Sequence, residues 1–143
     1  MKGNGGFLVT RIKQVSGRLL ERTLVERGID EFNGAQGRIL YVLWQGDNVP
    51  ISELSRQTGL AMTTLTSMLD RMEAAGLVRR DRDKGDRRLV RIVLTERARK
   101  LQHDFDEVSA QMNAIHYEGF TDEEVTQLEG YLERVLNNLE RRL

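Results

Sequence analysis

Between residues 51 and 78 the chain reads ISELSRQTGLAMTTLTSMLDRMEAAGLV, two short apolar-periodic runs, each closed by a glycine. The first fits a helix from Ser52 to about Thr58 that stops at Gly59, and the second a helix from about Met62 to Ala75 that stops at Gly76. Leu54 in the first and Leu65, Leu69 and Met72 in the second fall on inward-facing positions. A brief glycine-bearing turn between two such helices is the pattern of a helix-turn-helix. Few other sequence features leave a chain so little choice of local architecture.

The next segment narrows the choice further. After Gly76, LVRRD and LVRIVL flank the charged segment DRDKGDRR and pair across it as a β-hairpin. Val90, Ile92 and Leu94 alternate onto one face of the second strand, and Leu89, Arg91 and Val93 onto the other. A helix-turn-helix followed at once by a hairpin is a winged helix. The expected fold class is therefore mainly α with a small β-hairpin wing, an α+β winged helix spanning 33–94 of a single domain 1–143.

Helical periodicity rules the remainder. Asn33 and Gln36 form a capping box that opens a helix through GRILYVLW to about Gln45, which GDNVP ends. From Thr95, a suitable N-cap, to Ile115 the apolar positions Ala98, Leu101, Phe105, Val108, Met112 and Ile115 alternate gaps of three and four. Thr121 and Glu124 form a second capping box, with Phe120 placed to staple onto Val125. The helix they open carries a seam of Val125, Leu128, Leu132, Val135 and Leu139. Near the start, Leu8, Ile12, Val15 and Leu19 repeat the rhythm. Three long seams at the chain ends, 1–32 and 95–143, exceed what the small core needs, so they are expected to meet a second copy of the chain as a homodimer. An intramolecular bundle is the competing arrangement.

Charge is informative in its distribution. The 143 residues hold 22 basic and 22 acidic side chains. From Leu77 to Leu101, however, ten Lys and Arg stand against four acids, and from Asp104 to Leu143 three Arg stand against ten. Such asymmetry suggests one surface that meets a polyanion and another that faces away. There is no cysteine, which excludes disulfide and thiolate chemistry. The start, MKGNGGF, lacks the apolar run of a signal peptide, and no stretch approaches the ~20 apolar residues of a membrane span. A soluble, cytoplasmic protein with no membrane association is expected.

The basic surface has a definite expected geometry. With Leu65, Leu69 and Met72 inward, Thr63, Thr64, Ser67, Asp70 and Arg71 point out, with Thr66 on the flank. Short hydroxyls near a helix N-terminus can approach bases and phosphates closely. The hairpin tip, Lys84 to Arg88, stands beyond the body, and arginine on a narrow tip fits the minor groove. Asp86, two residues before Arg88, is placed to hold that guanidinium and leave Arg87 free to insert. Arg79, Arg80, Arg82 and Arg91 would flank the tip as phosphate contacts. Taken alone, each of these groups also fits an ordinary solvated face; together they point to double-stranded DNA.

The run LSRQTGLAMTTLTSMLDRMEAAGLVRR followed by DKGDRRLVRIVLTERARKL resembles the MarR family of bacterial and archaeal transcription regulators. The GD-R-R wing before a strand ending LT is the most specific element, and the likeness extends over essentially the whole chain. The resemblance implies a sequence-specific regulator, most often a repressor, that binds a pseudo-palindromic operator as a homodimer. The recognition helix would lie in the major groove and the wing in the minor groove. By position, Thr63, Thr64, Ser67 and Arg71 match the recognition helix, and Asp86, Arg87 and Arg88 match the wing. It further implies release by a small aromatic or lipophilic anionic ligand, bound near helices that here carry Arg11, Arg18, Arg38, Tyr41 and Trp44, although simple core packing is the more natural reading of Tyr41 and Trp44.

Two positions depart from the family pattern. Ala61 stands where a capping Ser or Thr is common, a difference worth ~1 kcal/mol of helix start. Ala98 replaces the glycine usual after LTE. The missing cysteine removes the family's thiol-sensing route. His103 and Glu107, four apart on one helix face, with His116 alone further on, are too few for a zinc site, so no metal and no cofactor is expected. The rival readings are a non-specific architectural DNA-binding protein, which the zero net charge disfavours, and a winged helix used for protein contact, which the paired arginines disfavour. No nucleophile–base pair, phosphate loop or metal cluster suggests an enzyme.

Overall fold

The computed structural model describes residues 2–143. In chain order the elements are α1 (Gly5–Glu26), α2 (Gly34–Gln45), β1 (Val49–Pro50), α3 (Ile51–Thr58), α4 (Met62–Ala74), β2 (Val78–Arg82), β3 (Val90–Leu94), α5 (Glu96–Lys100), α6 (Gln102–His116) and α7 (Asp122–Glu140). The fold is mainly helical, with one small antiparallel sheet in the order β1-β3-β2. No described helix is long and apolar enough to cross a membrane. Two compact units divide at Val108 and Ser109, inside α6. The changes of element at 33 and 95 therefore lie within the first unit, because Ala98, Leu101 and Val108 are buried along with the winged helix residues.

Glycine closes both helices of the helix-turn-helix. Gly59 (φ 74°) caps α3 with its N–H on the Ser55 carbonyl at 2.9 Å. Gly76 (φ 75°) follows α4, donating to the Glu73 carbonyl at 3.0 Å, while Leu77 N–H reaches the Met72 carbonyl at 2.9 Å. Those two bonds satisfy carbonyls that the helix end would otherwise orphan, in the left-handed geometry that glycine adopts without steric cost. Leu54, Leu65, Leu69 and Met72 are wholly buried, as their spacing requires.

The wing holds a third strand that periodicity does not reveal. Val49 pairs with Ile92 and Pro50 with Arg91, so GDNVP both ends α2 and supplies β1. A two-residue strand is too short to show alternation, and its proline is tolerated because β1 is an edge strand. Asn48 (φ 62°) makes the bend, its N–H donating to the Ile92 carbonyl at 2.8 Å. On the other side Val78 opposes Leu94 and Arg82 opposes Val90. Ile92 and Leu94 are buried in the core, with Val90 half-buried at the outer end of the same face.

One expected helix becomes two. Thr95 caps α5 by accepting the Ala98 N–H at 3.2 Å, but the helix tightens at Leu101, whose N–H bonds the Ala98 carbonyl three residues back. The cause lies in α2: the Trp44 indole N–H also donates to the Ala98 carbonyl, at 3.0 Å. A side chain inserted into the hydrogen-bond ladder is a recognised source of helix breaks. Around it Phe105 packs on Trp44 (5.1 Å between ring centres), Phe32 (5.9 Å) and Tyr41 (6.0 Å).

In the second unit, α7 opens with the Thr121–Glu124 capping box, the counterpart of the Asn33–Gln36 box on α2. Phe120 packs edge-on against Tyr117, 5.9 Å between ring centres, and the Tyr117 hydroxyl donates to Glu129 at 2.9 Å. None of α7's residues is buried. Leu128, Leu132, Val135 and Leu139 lie exposed, as do Leu8, Ile12 and Val15 on α1.

Gly37 of α2 is where the aromatic group meets helix backbone. A methyl there would lie 2.9 Å from Phe105 Cε2 and 3.5 Å from Phe32 Cδ2. Overpacking costs about 1–3 kcal/mol, whereas alanine gains only about 1 kcal/mol over glycine inside a helix. Gly37→Ala is therefore expected to lower the thermal unfolding midpoint. Gly130→Ala in α7, where the added methyl meets open space, is expected to raise it by up to about 1 kcal/mol of stability.

Candidate nucleic-acid interface

The second helix of the helix-turn-helix, α4, is sharply two-faced. Leu65, Met68, Leu69 and Met72 are buried, while Thr63, Thr64, Thr66, Ser67, Asp70 and Arg71 are all exposed. Threonines elsewhere in helices donate to the carbonyl four residues back: Thr10 to Gly6, Thr23 to Leu19, Thr58 to Leu54 and Thr126 to Asp122. Thr66 leaves the corresponding Met62 carbonyl alone, and the hydroxyls of Thr63 and Thr64 are likewise unbonded among the described residues. Arg71 makes one long contact, 3.5 Å, to Ser67 Oγ. The face thus presents three hydroxyls and a guanidinium with their hydrogen-bonding capacity in hand. At its mouth the N-cap is Ala61, which supplies no side-chain bond.

The wing tip is built by two aspartates. Asp83 Oδ2 accepts the Gly85 N–H at 3.0 Å and the Asp86 N–H at 2.8 Å, folding the turn, while its Oδ1 takes Arg91 Nε at 2.6 Å. Arg91 in turn donates to the Asn48 carbonyl at 2.9 Å, which ties the turn through β3 to the bend before β1. Asp86 accepts Arg88 twice, Nε at 3.1 Å and Nη2 at 3.2 Å, and also the Arg88 N–H at 3.0 Å. The aspartate placed by sequence to hold Arg88 does hold it. Lys84 and Arg87 are exposed, and their side chains carry no ion pair or hydrogen bond among the described residues. With Arg82 and Asp83 they line an open concavity at the tip.

The flanking arginines, which sequence suggests as phosphate contacts, also pair within the protein. Arg79 forms a two-pronged pair with Asp81, at 2.9 and 3.0 Å. Arg80, its side chain only a quarter exposed, bonds Asp70 and Glu73 of α4. Arg82 donates to the Arg87 carbonyl at 3.0 Å. These cations brace the wing against the helix and against itself, because each has a carboxylate or carbonyl within reach. Asp47, which belongs to no motif, braces the base of the wing in the same way. Its Oδ2 accepts the Leu94 N–H and Arg99, both at 2.8 Å. Such contacts span about fifty residues and leave no local sequence signal.

Glu107 is also a bracing group, taking Arg27 at 2.9 Å and His103 Nε2 at 3.1 Å.

A helix with a hydroxyl-bearing outer face, set beside a braced hairpin with a basic tip, defines a winged helix-turn-helix. The MarR family profile matches residues 32–90, which begin at Phe32 and include α4 and the wing tip. An HTH-type transcriptional regulator of Bacillus subtilis, YsmB, is 32% identical over 100 residues, covering 70% of this chain and 68% of that protein. The chain belongs to the MarR family. TtmR, an HTH-type transcriptional regulator of Methylorubrum extorquens, is 40% identical over 76 residues, 53% of this chain; the match spans only 39% of TtmR's own length. A variant of E. coli MarR, solved in complex with operator DNA, superposes with a TM-score of 0.82 at 27% identity over 92% of each chain. The similar proteins are transcriptional regulators and not enzymes.

The wing's aspartates set its acid limit. The Arg91 guanidinium, then the Asp86 amide, hold Asp83 below its ordinary 3.8, and the Arg88 side chain and amide do the same for Asp86. Carboxylates so depressed contribute their grip fully above 3.8 and lose it only as pH falls through the lower folded values. The Gly85 and Asp86 amides are therefore expected to keep constant NMR shifts from about pH 8 to about 4 and to move only below that. Movement centred near neutral pH would contradict this account.

Proposed function

We propose that the protein is a sequence-specific DNA-binding transcription regulator, most simply a repressor, acting as a homodimer on a pseudo-palindromic operator. The observation that carries this reading is the wing tip, where Arg87 and Lys84 stand unpaired while every neighbouring arginine is anchored by protein. A braced hairpin that withholds two cations from its own carboxylates is arranged for phosphates and a narrow minor groove. Thr63, Thr64, Thr66, Ser67 and Arg71 supply the major-groove surface. The operator complex of the E. coli relative supports the same assignment. A reader of chromosomal DNA works in the cytoplasm.

In this reading residues 33–94 form the DNA-binding part, and 1–32 with 95–143 form the dimerisation part. The apolar seams left exposed on α1 and α7 support it, since a run such as Leu128, Leu132, Val135 and Leu139 is costly to leave in water. Two recognition helices on one face of B-DNA must lie ~34–36 Å apart, so the operator half-sites should be centred about one turn apart. A small aromatic or lipophilic anion is the proposed effector. Tyr41, half exposed beside Phe105, and the exposed Arg38 three residues earlier offer an apolar wall and a charge. An architectural, non-specific role is the alternative, and a net charge of zero speaks against it.

Selection of bound genomic fragments by the purified protein tests the reading directly: an inverted-repeat motif is expected, and uniform recovery would favour the architectural role. Arg87→Ala is expected to weaken operator binding by about 1–3 kcal/mol and to reduce its salt dependence, measured by fluorescence anisotropy across a salt series. Leu132→Asp places a charge in the α7 seam and should abolish both dimer and specific binding, read by sedimentation and the same titration.

A further inference from the structure

We infer that Met62 is a specificity-determining residue that reads the 5-methyl group of a thymine in each operator half-site. The inference rests on the DNA-binding reading above and adds to it a contact of a different chemistry.

Met62 is the first residue of α4 and is 44% exposed, whereas Met68, Met72 and Met112 are at most 9% exposed. It stands at the edge between the helix's two faces, three residues before buried Leu65 and four before exposed Thr66. Helical side chains lean toward the N-terminus, so a long side chain at the first position extends past the end of its helix. That end of a recognition helix is the part that meets base edges in the major groove. The residues just before it offer no polar competitor: Ala61 provides no cap, and Leu60 is apolar.

An unbranched thioether has no donor and only a feeble acceptor, so it cannot discriminate among the polar edges of guanine, cytosine or adenine. Against those it would leave a donor or acceptor unsatisfied. The thymine methyl is the one apolar group displayed in the major groove, and methionine's flexible, polarisable chain adapts to such a surface. Its neighbours Thr63, Thr64 and Thr66 carry free hydroxyls for the polar edges alongside.

The experiment replaces each thymidine of the selected operator by deoxyuridine in turn, which deletes only the methyl, and measures affinity for the unmodified protein, Met62→Gln and Met62→Leu. At one thymidine per half-site, loss of the methyl should weaken the unmodified protein about fourfold, the worth of one buried methyl-sized group. Met62→Gln should bind that position equally with or without the methyl, and Met62→Leu should retain most of the preference. Thermal unfolding of both variants reports that the exposed site has been changed without unfolding the protein. If every methyl effect is the same in all three proteins, the inference is wrong while DNA binding stands. If the unmodified protein selects no DNA, both readings fall together.

Discussion

Ile92 lies wholly buried at the centre of β3, a strand paired on both sides, and the winged helix is hung from it. On one side its carbonyl receives the Asn48 N–H, which fixes where α2 ends and α3 begins. On the other, the register with Arg80 sets how far the hairpin extends beyond the body. Slipping β3 by one residue would turn Ile92 and Leu94 to solvent and bring Arg91 and Val93 inward. Because that exchange is so unfavourable, the wing has one register and its tip one position. The register from which the tip projects is therefore set by apolar burial at the other end of the same strand.

Charge works on top of that frame, and the basic side chains of the wing divide by whether a carboxylate lies within reach. Arg79, Arg80, Arg88 and Arg91 each find one, Arg82 donates instead to the Arg87 carbonyl, and Lys84 and Arg87 find neither among the described residues. Exposed pairs of this sort contribute little stability individually. Their effect is conformational: Asp83 closes the turn with two backbone amides and Asp86 fixes Arg88, so the unpaired cations are presented from a defined scaffold.

Elements with long periodic signals are legible in the sequence. The α4 faces, the two capping boxes, Gly59, Gly76, the β2–β3 hairpin and the Asp86–Arg88 pair all arise from spacing that local physics can interpret. The illegible parts depend on contacts between distant segments. β1 is too short for alternation, and the break at Leu101 arises from an indole donated by α2, 54 residues from its acceptor in sequence. The roles of Arg80 and Arg91 depend on where Asp70, Glu73 and Asp83 come to rest in three dimensions. Asp47 carries no motif, since its partners Leu94 and Arg99 are brought to it only by folding.

The indole that interrupts the helix belongs to the chain's single tryptophan. Trp44 therefore carries an optical label at the joint between α5 and α6, with its N–H held by a backbone carbonyl and its ring against Phe105. Any event that alters this joint must change the polarity and hydrogen bonding seen by that one fluorophore. Its emission can be read without introducing a dye, and no second tryptophan contributes background. The same contact that shapes the backbone makes rearrangement of this aromatic cluster directly visible in solution.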